Sequence, residues 1–160
     1  MKLLRFSIRS LFAITFVCAL TVFLWPKPDP NAPDPKWREL LFKNSAPLLN
    51  APEITVDSVQ DDWVRVAARN TGSTTLQYRS AGKSLVQLFQ ETHDGKQWTT
   101  GTWDWCGTGK QRFEIAPDET VELELHFWSE DKPVRMLAAF SEKNTDRRGL
   151  VVLASQETVK

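Results

Sequence analysis

The distribution of apolar positions divides the chain into two unlike parts. Leu11 to Trp25 is a continuous apolar run without a charge. From residue 53 onward apolar and polar residues alternate, with turn signals roughly every eight to twelve residues, which predicts short antiparallel strands. Ile54 and Val56 open the series. Val64, Val66 and Ala68 follow on one face and end at the Asn70-Thr71-Gly72-Ser73 turn, and Leu76 and Tyr78 mark a third segment. Leu85–Thr92 and Gln97–Trp105 flank His93-Asp94-Gly95-Lys96, the strongest hairpin signal, because Asp-Gly readily takes positive φ. Val121, Leu123, Leu125 and Phe127 alternate with Glu122, Glu124, His126 and Trp128. Val134–Phe140 and Leu150–Ala154, joined by the charged loop Glu142–Gly149, complete the set. No segment after residue 50 keeps a helical period for three turns.

The expected fold class is therefore all-β, an immunoglobulin-like antiparallel β-sandwich over residues 53–160 without the Cys…Trp…Cys pin of antibody domains. Residues 26–52 are read as a proline-rich linker with a short helix, and residues 1–25 as an N-terminal transmembrane signal-anchor. In the linker, Pro26 to Pro35 suits an extended, polyproline-like spacer. Trp37, Leu40 and Leu41 then recur at helical spacing, predicting a short helix that docks its apolar side on the domain. An interfacial helix lying on the membrane is the other reading.

In the leader, Lys2, Arg5 and Arg9 precede the apolar run and Trp25 ends it, so the N-terminus is expected in the cytoplasm and the domain outside. The uncharged Ser10–Trp25 run covers about 24 Å as a helix. Extension back to Phe6 with Arg9 snorkelling makes up a span of about 30 Å. Cleavage of a secretory signal is the alternative, but Ala19-Leu20-Thr21 is followed by Val-Phe-Leu-Trp, so no clean site closes the run. Val17 before Cys18 disfavours a lipoprotein signal. The location expected is the cytoplasmic membrane, single-pass.

Three resemblances accompany these patterns. Arg5-Phe6-Ser7-Ile8-Arg9-Ser10-Leu11 resembles the "RFSLRTLL" opening of membrane-anchored planctomycete proteins; it covers only the leader and implies no catalytic residues. Val64 to Gly72 resembles the "V-x-V-x-N-x-G" strand and turn of bacterial Ig-like modules. Ile115-Ala-Pro-Asp-Glu-Thr-Val121 is similar to their "L-x-P-G-E-x-V" turn, with Asp118 in place of glycine. The two imply a fold and no activity. A secreted proteinase-inhibitor module of this kind is among the relatives the pattern suggests.

Charge and cysteine content narrow the function classes. Removing Lys2, Arg5 and Arg9 leaves 17 basic against 20 acidic residues, a net of −3 for the exported part. That argues against nucleic acid or an anionic membrane surface as partner. Cys18 and Cys106 fall in the leader and the domain, so no internal disulfide is expected. The segment unlike ordinary sandwich filling is Trp98 to Lys110. If extended, it places Trp103 and Trp105 on one face and Asp104 and Cys106 on the other, with Gly101 suited to a bulge. Trp98, Trp103, Trp105, Cys106, Gly107 and Gly109 are the candidate site: an aromatic platform beside a glycine loop, for a protein or glycan partner in the cell envelope. The plainer reading is that the indoles fill the space between sheets.

Catalytic alternatives are thinner. Gly107-Thr-Gly-Lys110 lacks the glycine at 104 and the Ser or Thr at 111 that a phosphate loop needs. Cys106 as a thiol nucleophile would need His93 or His126 as base, which sequence cannot place beside it. Asp104, Cys106 and the histidines have no metal-ligand spacing. Glu122 and Glu124 are explained by solvation on an outward face. No cofactor is implied. The reading is a non-catalytic, membrane-tethered binding module. The alternatives are an envelope thiol enzyme using Cys106, and an inhibitor of an exported protease presenting Cys106–Gln111 or Glu142–Gly149.

Overall fold

The computed structural model describes residues 29, 32–60, 63–103, 110–126 and 132–156, Trp103 by its backbone alone. The expected leader, Trp105, Cys106, Gly107, Gly109 and Phe127 lie outside the described residues. Among the described residues no helix is long and apolar enough to cross a membrane.

Pro33–Lys160 form one compact unit. Among the described residues, one helix, α1 (Pro35–Phe42), precedes ten strands. They are β1 (Glu53–Gln60), β2 (Trp63–Arg69), β3 (Leu76–Ala81), β4 (Leu85–Val86), β5 (Leu88–His93), β6 (Trp98–Trp103), β7 (Gln111–Ile115), β8 (Thr120–His126), β9 (Val134–Glu142) and β10 (Arg148–Ser155). They form a single sheet in the order β1-β2-β8-β4-β3-β9-β5-β6, with β10 added to β9 and β7 to β3. The sheet curls on itself. Val64, Val66, Leu123 and Leu125 of β2 and β8 thereby share one core with Leu76, Tyr78, Met136 and Phe140 of β3 and β9.

The alternation read from sequence is what builds this core. β2 and β8 run in full register from Trp63↔His126 to Arg69↔Thr120, and their odd and even positions face opposite sides. The outward carboxylates Glu122 and Glu124 lie 4.0 and 3.2 Å from Arg65 across the ladder. Asn70 ties the two Ig-resembling turns together. Its buried Nδ2 donates to the carbonyls of Thr74 (2.9 Å) and Ile115 (3.0 Å), and its backbone carbonyl accepts from Asp118 N–H at 2.8 Å. Asp118 has φ 61°, so it takes the left-handed conformation that the resembled motif gives to glycine.

Three features differ from the sequence expectation. β7 adds a strand that the alternation did not mark, since it contributes only Phe113 and Ile115 to the inner side. β9 and β10 run closer together than the predicted Glu142–Gly149 loop, which leaves a short turn over residues 143–147. The helix docks through Trp37 (1% exposed), while Leu40 and Leu41 stay 64% and 37% exposed. The reason lies at its start. Asp34 is the N-cap and Pro35 the first helical residue, an arrangement that fixes how the helix is rotated. Proline-rich sequence therefore runs into the folded unit at residue 33, and the helix packs with the strands.

Candidate functional site

The side of β9, β10 and β5 turned away from the main core is covered by α1. Trp37 packs on Phe89 and Leu137 there, its ring edge-on to Phe89 at 5.3 Å, with Ala139, Leu150 and Val152 around them. Polar contacts pin the helix start. The Asp34 carboxylate accepts from Lys36 N–H (2.9 Å), Thr100 N–H (2.8 Å) and the Thr100 hydroxyl (2.8 Å). Burial pushes this carboxyl up, but those hydrogen bonds outweigh it and leave it below the usual carboxylate range. Asp34 N–H in turn donates to Glu91 Oε1 at 2.7 Å.

Glu91 is itself buried. Its Oε2 lies 2.6 Å from both Nε and Nη2 of Arg135, and both side chains are almost wholly excluded from solvent. The Arg135 guanidinium lies 4.5 Å from the Trp98 ring centroid, and His93 packs edge-on to the same ring at 5.0 Å. Trp98, a predicted site residue, is thus half-buried between structural neighbours. Gly101 carries the predicted bulge. The β5–β6 register shifts between Phe89 and Glu91, and a Cβ at Gly101 would come within 2.8 Å of the Gln90 carbonyl oxygen. Trp103 pairs with Phe89 in that ladder. His126 packs edge-on to Trp63 at 5.0 Å, away from His93 and its Trp98.

Beyond α1 the same outward surface continues onto β3 and β7, and here the composition changes. Strand register sets two rows across it. One row runs Arg148, Ser141, Gln77, Glu114 across β10, β9, β3 and β7. The adjacent row places Arg79 directly opposite Arg112. With Leu41 and Phe42 of α1 as one wall, Gln77, Arg79, Arg112, Ser141 and Arg148 line an open groove of about 490 Å³. Its charged lining is Arg79, Arg112 and Arg148 against a single acid, Glu142.

The carboxylates nearest these arginines are engaged elsewhere. Glu114 Oε1 accepts from Gln77 Nε2 (2.9 Å) and Oε2 from Lys143 Nζ (2.8 Å). Lys143 first, then Gln77, with the charge of Arg112 adding, hold Glu114 below the usual carboxylate range. Glu142 is buried, and its Oε1 accepts from Leu49 N–H at 2.8 Å. Among the described residues, ion pairs are made by Arg65, Arg69, Arg135 and Lys143, and by none of the groove arginines.

No protein-family model matches the chain, and no curated protein is similar to it. Among solved structures it is similar to a protein provisionally designated ApaA from Bordetella pertussis. The two are 19% identical, the match covers 68% of this chain and 94% of that one, and the TM-score is 0.38.

Sequence reasoning did not single out Arg79, Arg112 or Arg148, because only strand register brings them to one surface. Asp34 was open to detection, since Asp before Pro is a common helix start. Glu91 and Arg135 carried no sequence signal of pairing: Glu91 sits between Gln90 and Thr92, which reads as an exposed stretch, and Arg135 sits alone between Val134 and Met136.

Proposed function

We propose that this chain is a membrane-tethered, exported and non-catalytic binding module of Ig-like sandwich build, holding a partner or envelope component in the arginine-lined groove. One observation supports it above the rest: three arginines face an open groove in which the lone acid already has a backbone partner. A cationic groove with an apolar wall suits recognition, because guanidinium forks bind oxyanions while the apolar surface adds contact area. The charged leader, the apolar run and the proline spacer support placement of the module outside the cytoplasm.

A photo-reactive residue placed at Gln77, on the groove surface, tests this reading in intact cells. Cross-linking to a discrete envelope component is expected from Gln77 and not from Glu53 at the opposite end of the sheet. Identical products from both positions, or none from Gln77, would defeat it.

A further inference from the structure

We propose that the groove takes a small organic dianion, one carboxylate or phosphate group lying between Arg79 and Arg112 and a second reaching Arg148. This rests on the binding-module reading and adds the ligand's chemistry to it.

Arg79 and Arg112 are directly opposed on two antiparallel strands, and both are exposed on the same face. Like charges in that relation are destabilising. Glu114 is the next residue of β7 on that face; Gln77 and Lys143 hydrogen-bond its two oxygens, and its charge still attracts Arg112. Glu142 is held by Leu49. The charge of Glu114 offsets part of the repulsion felt by Arg112, and an oxyanion bound between the two forks relieves the rest.

Spacing then sets the shape of the ligand. Adjacent strands lie about 4.8 Å apart, so the Arg79 and Arg112 side chains start close enough to straddle one oxyanion. Arg148 starts two strands from Gln77 in the neighbouring row, with Ser141 between them, roughly 10 Å across the sheet. Two anionic groups joined by a short spacer suit that separation better than one. The surface between is suited to such a spacer, since Ala139 and Phe89 form its floor and Phe42 its wall. A volume of 490 Å³ falls within the usual range for small-molecule sites, about 300–1,000 Å³.

The test uses the full chain in detergent micelles. Straight-chain α,ω-dicarboxylates of increasing length, the matching monocarboxylates, a neutral diamide and inorganic phosphate are titrated by calorimetry. One dicarboxylate length should bind at least tenfold more tightly than its monocarboxylate, and the affinity should fall as salt rises. Competition by inorganic phosphate would assign the Arg79–Arg112 end to phosphate esters; its failure to compete would assign that end to carboxylates.

R112Q and R148Q should each weaken the dicarboxylate at least tenfold, and R79K/R112K should retain charge yet lose most of the affinity. R65Q, on the distant β2–β8 ladder, should bind like the unaltered chain. Thermal melting supplies a readout independent of titration. The dicarboxylate should raise the melting temperature of the unaltered chain and raise that of R112Q by clearly less. Equal binding of mono- and dicarboxylates, or R112Q and R148Q binding undiminished, would overturn the proposal. If Gln77 cross-links an envelope component while no oxyanion binds, the module reading survives and this one falls. Oxyanion binding without cross-links gives the converse.

Discussion

At the scale of single residues, the most consequential feature is a charge taken out of water. Glu91 and Arg135 are 0% and 3% exposed as side chains, so Glu91 depends on Arg135 for compensation. Glu91 serves two elements at once, accepting from Arg135 on β9 and from the Asp34 backbone at the start of α1. Removing Arg135 strands Glu91 as a buried charge, which costs about 3–5 kcal/mol. R135M should therefore lower the urea midpoint by an amount corresponding to that loss, and E91Q should lower it as well. The double variant E91L/R135M should recover most of it, because an apolar pair of similar volume is often as stable as the ion pair. Single variants within about 1 kcal/mol of the unaltered protein would mean the site is wetter than its geometry indicates. Trp98 belongs to the same unit through Arg135, and its half-buried ring is accounted for by that stacking.

At the scale of elements, the attachment of α1 is governed by Asp34. The hydrogen bonds from Lys36 and Thr100 favour its ionised form, so its folded-state pKa is depressed. The sign follows directly: the contribution is complete above the ordinary carboxylate range and is lost as pH falls through the depressed folded value. D34A should cost about 1–2 kcal/mol at neutral pH. In urea titrations the gap between D34A and the unaltered chain should narrow under strongly acidic conditions. A gap of constant size from neutral to acid pH would show that the carboxylate charge does not hold the helix. Elements with one buried face were legible in the sequence, because burial on one side forces the period-two pattern seen at Val64, Val66, Leu123 and Leu125. The His93–Lys96 hairpin was legible through its turn chemistry, with Asp94 Oδ1 accepting from Lys96 and Gln97 N–H and Gly95 at φ 93°. β7 was not legible, since an edge strand that buries so little needs no apolar alternation. The rotation of α1 was not legible either, because Leu40 and Trp37 differ only in which side the cap turns inward.

At the scale of the whole molecule, the folded unit begins earlier than the alternating pattern does. Sequence periodicity starts the domain at residue 53, whereas the compact unit starts at Pro33. The groove shows why this matters for the site. Two of its sides come from different kinds of information: Arg79, Arg112 and Arg148 from strand register, Leu41 and Phe42 from a helix docked by a distant carboxylate and one tryptophan. A net charge of −3 spread over the sequence after residue 25 gave no hint of three arginines on one surface, because a sum over residues discards position. It follows that a fragment of residues 53–160 should lack more than a linker. Without Trp37, the apolar side chains of Phe89, Leu137 and Leu150 lose their cover. The loss should resemble deleting a large buried aromatic, about 3–5 kcal/mol. Glu91 also loses its Asp34 donor. A fragment of residues 33–160 should melt close to the full chain, and the shorter one should melt lower and bind a hydrophobic dye. Comparable melting of the two fragments would mean that α1 rests on the sheet without stabilising it. The groove wall would then be a neighbour of the site and no part of it.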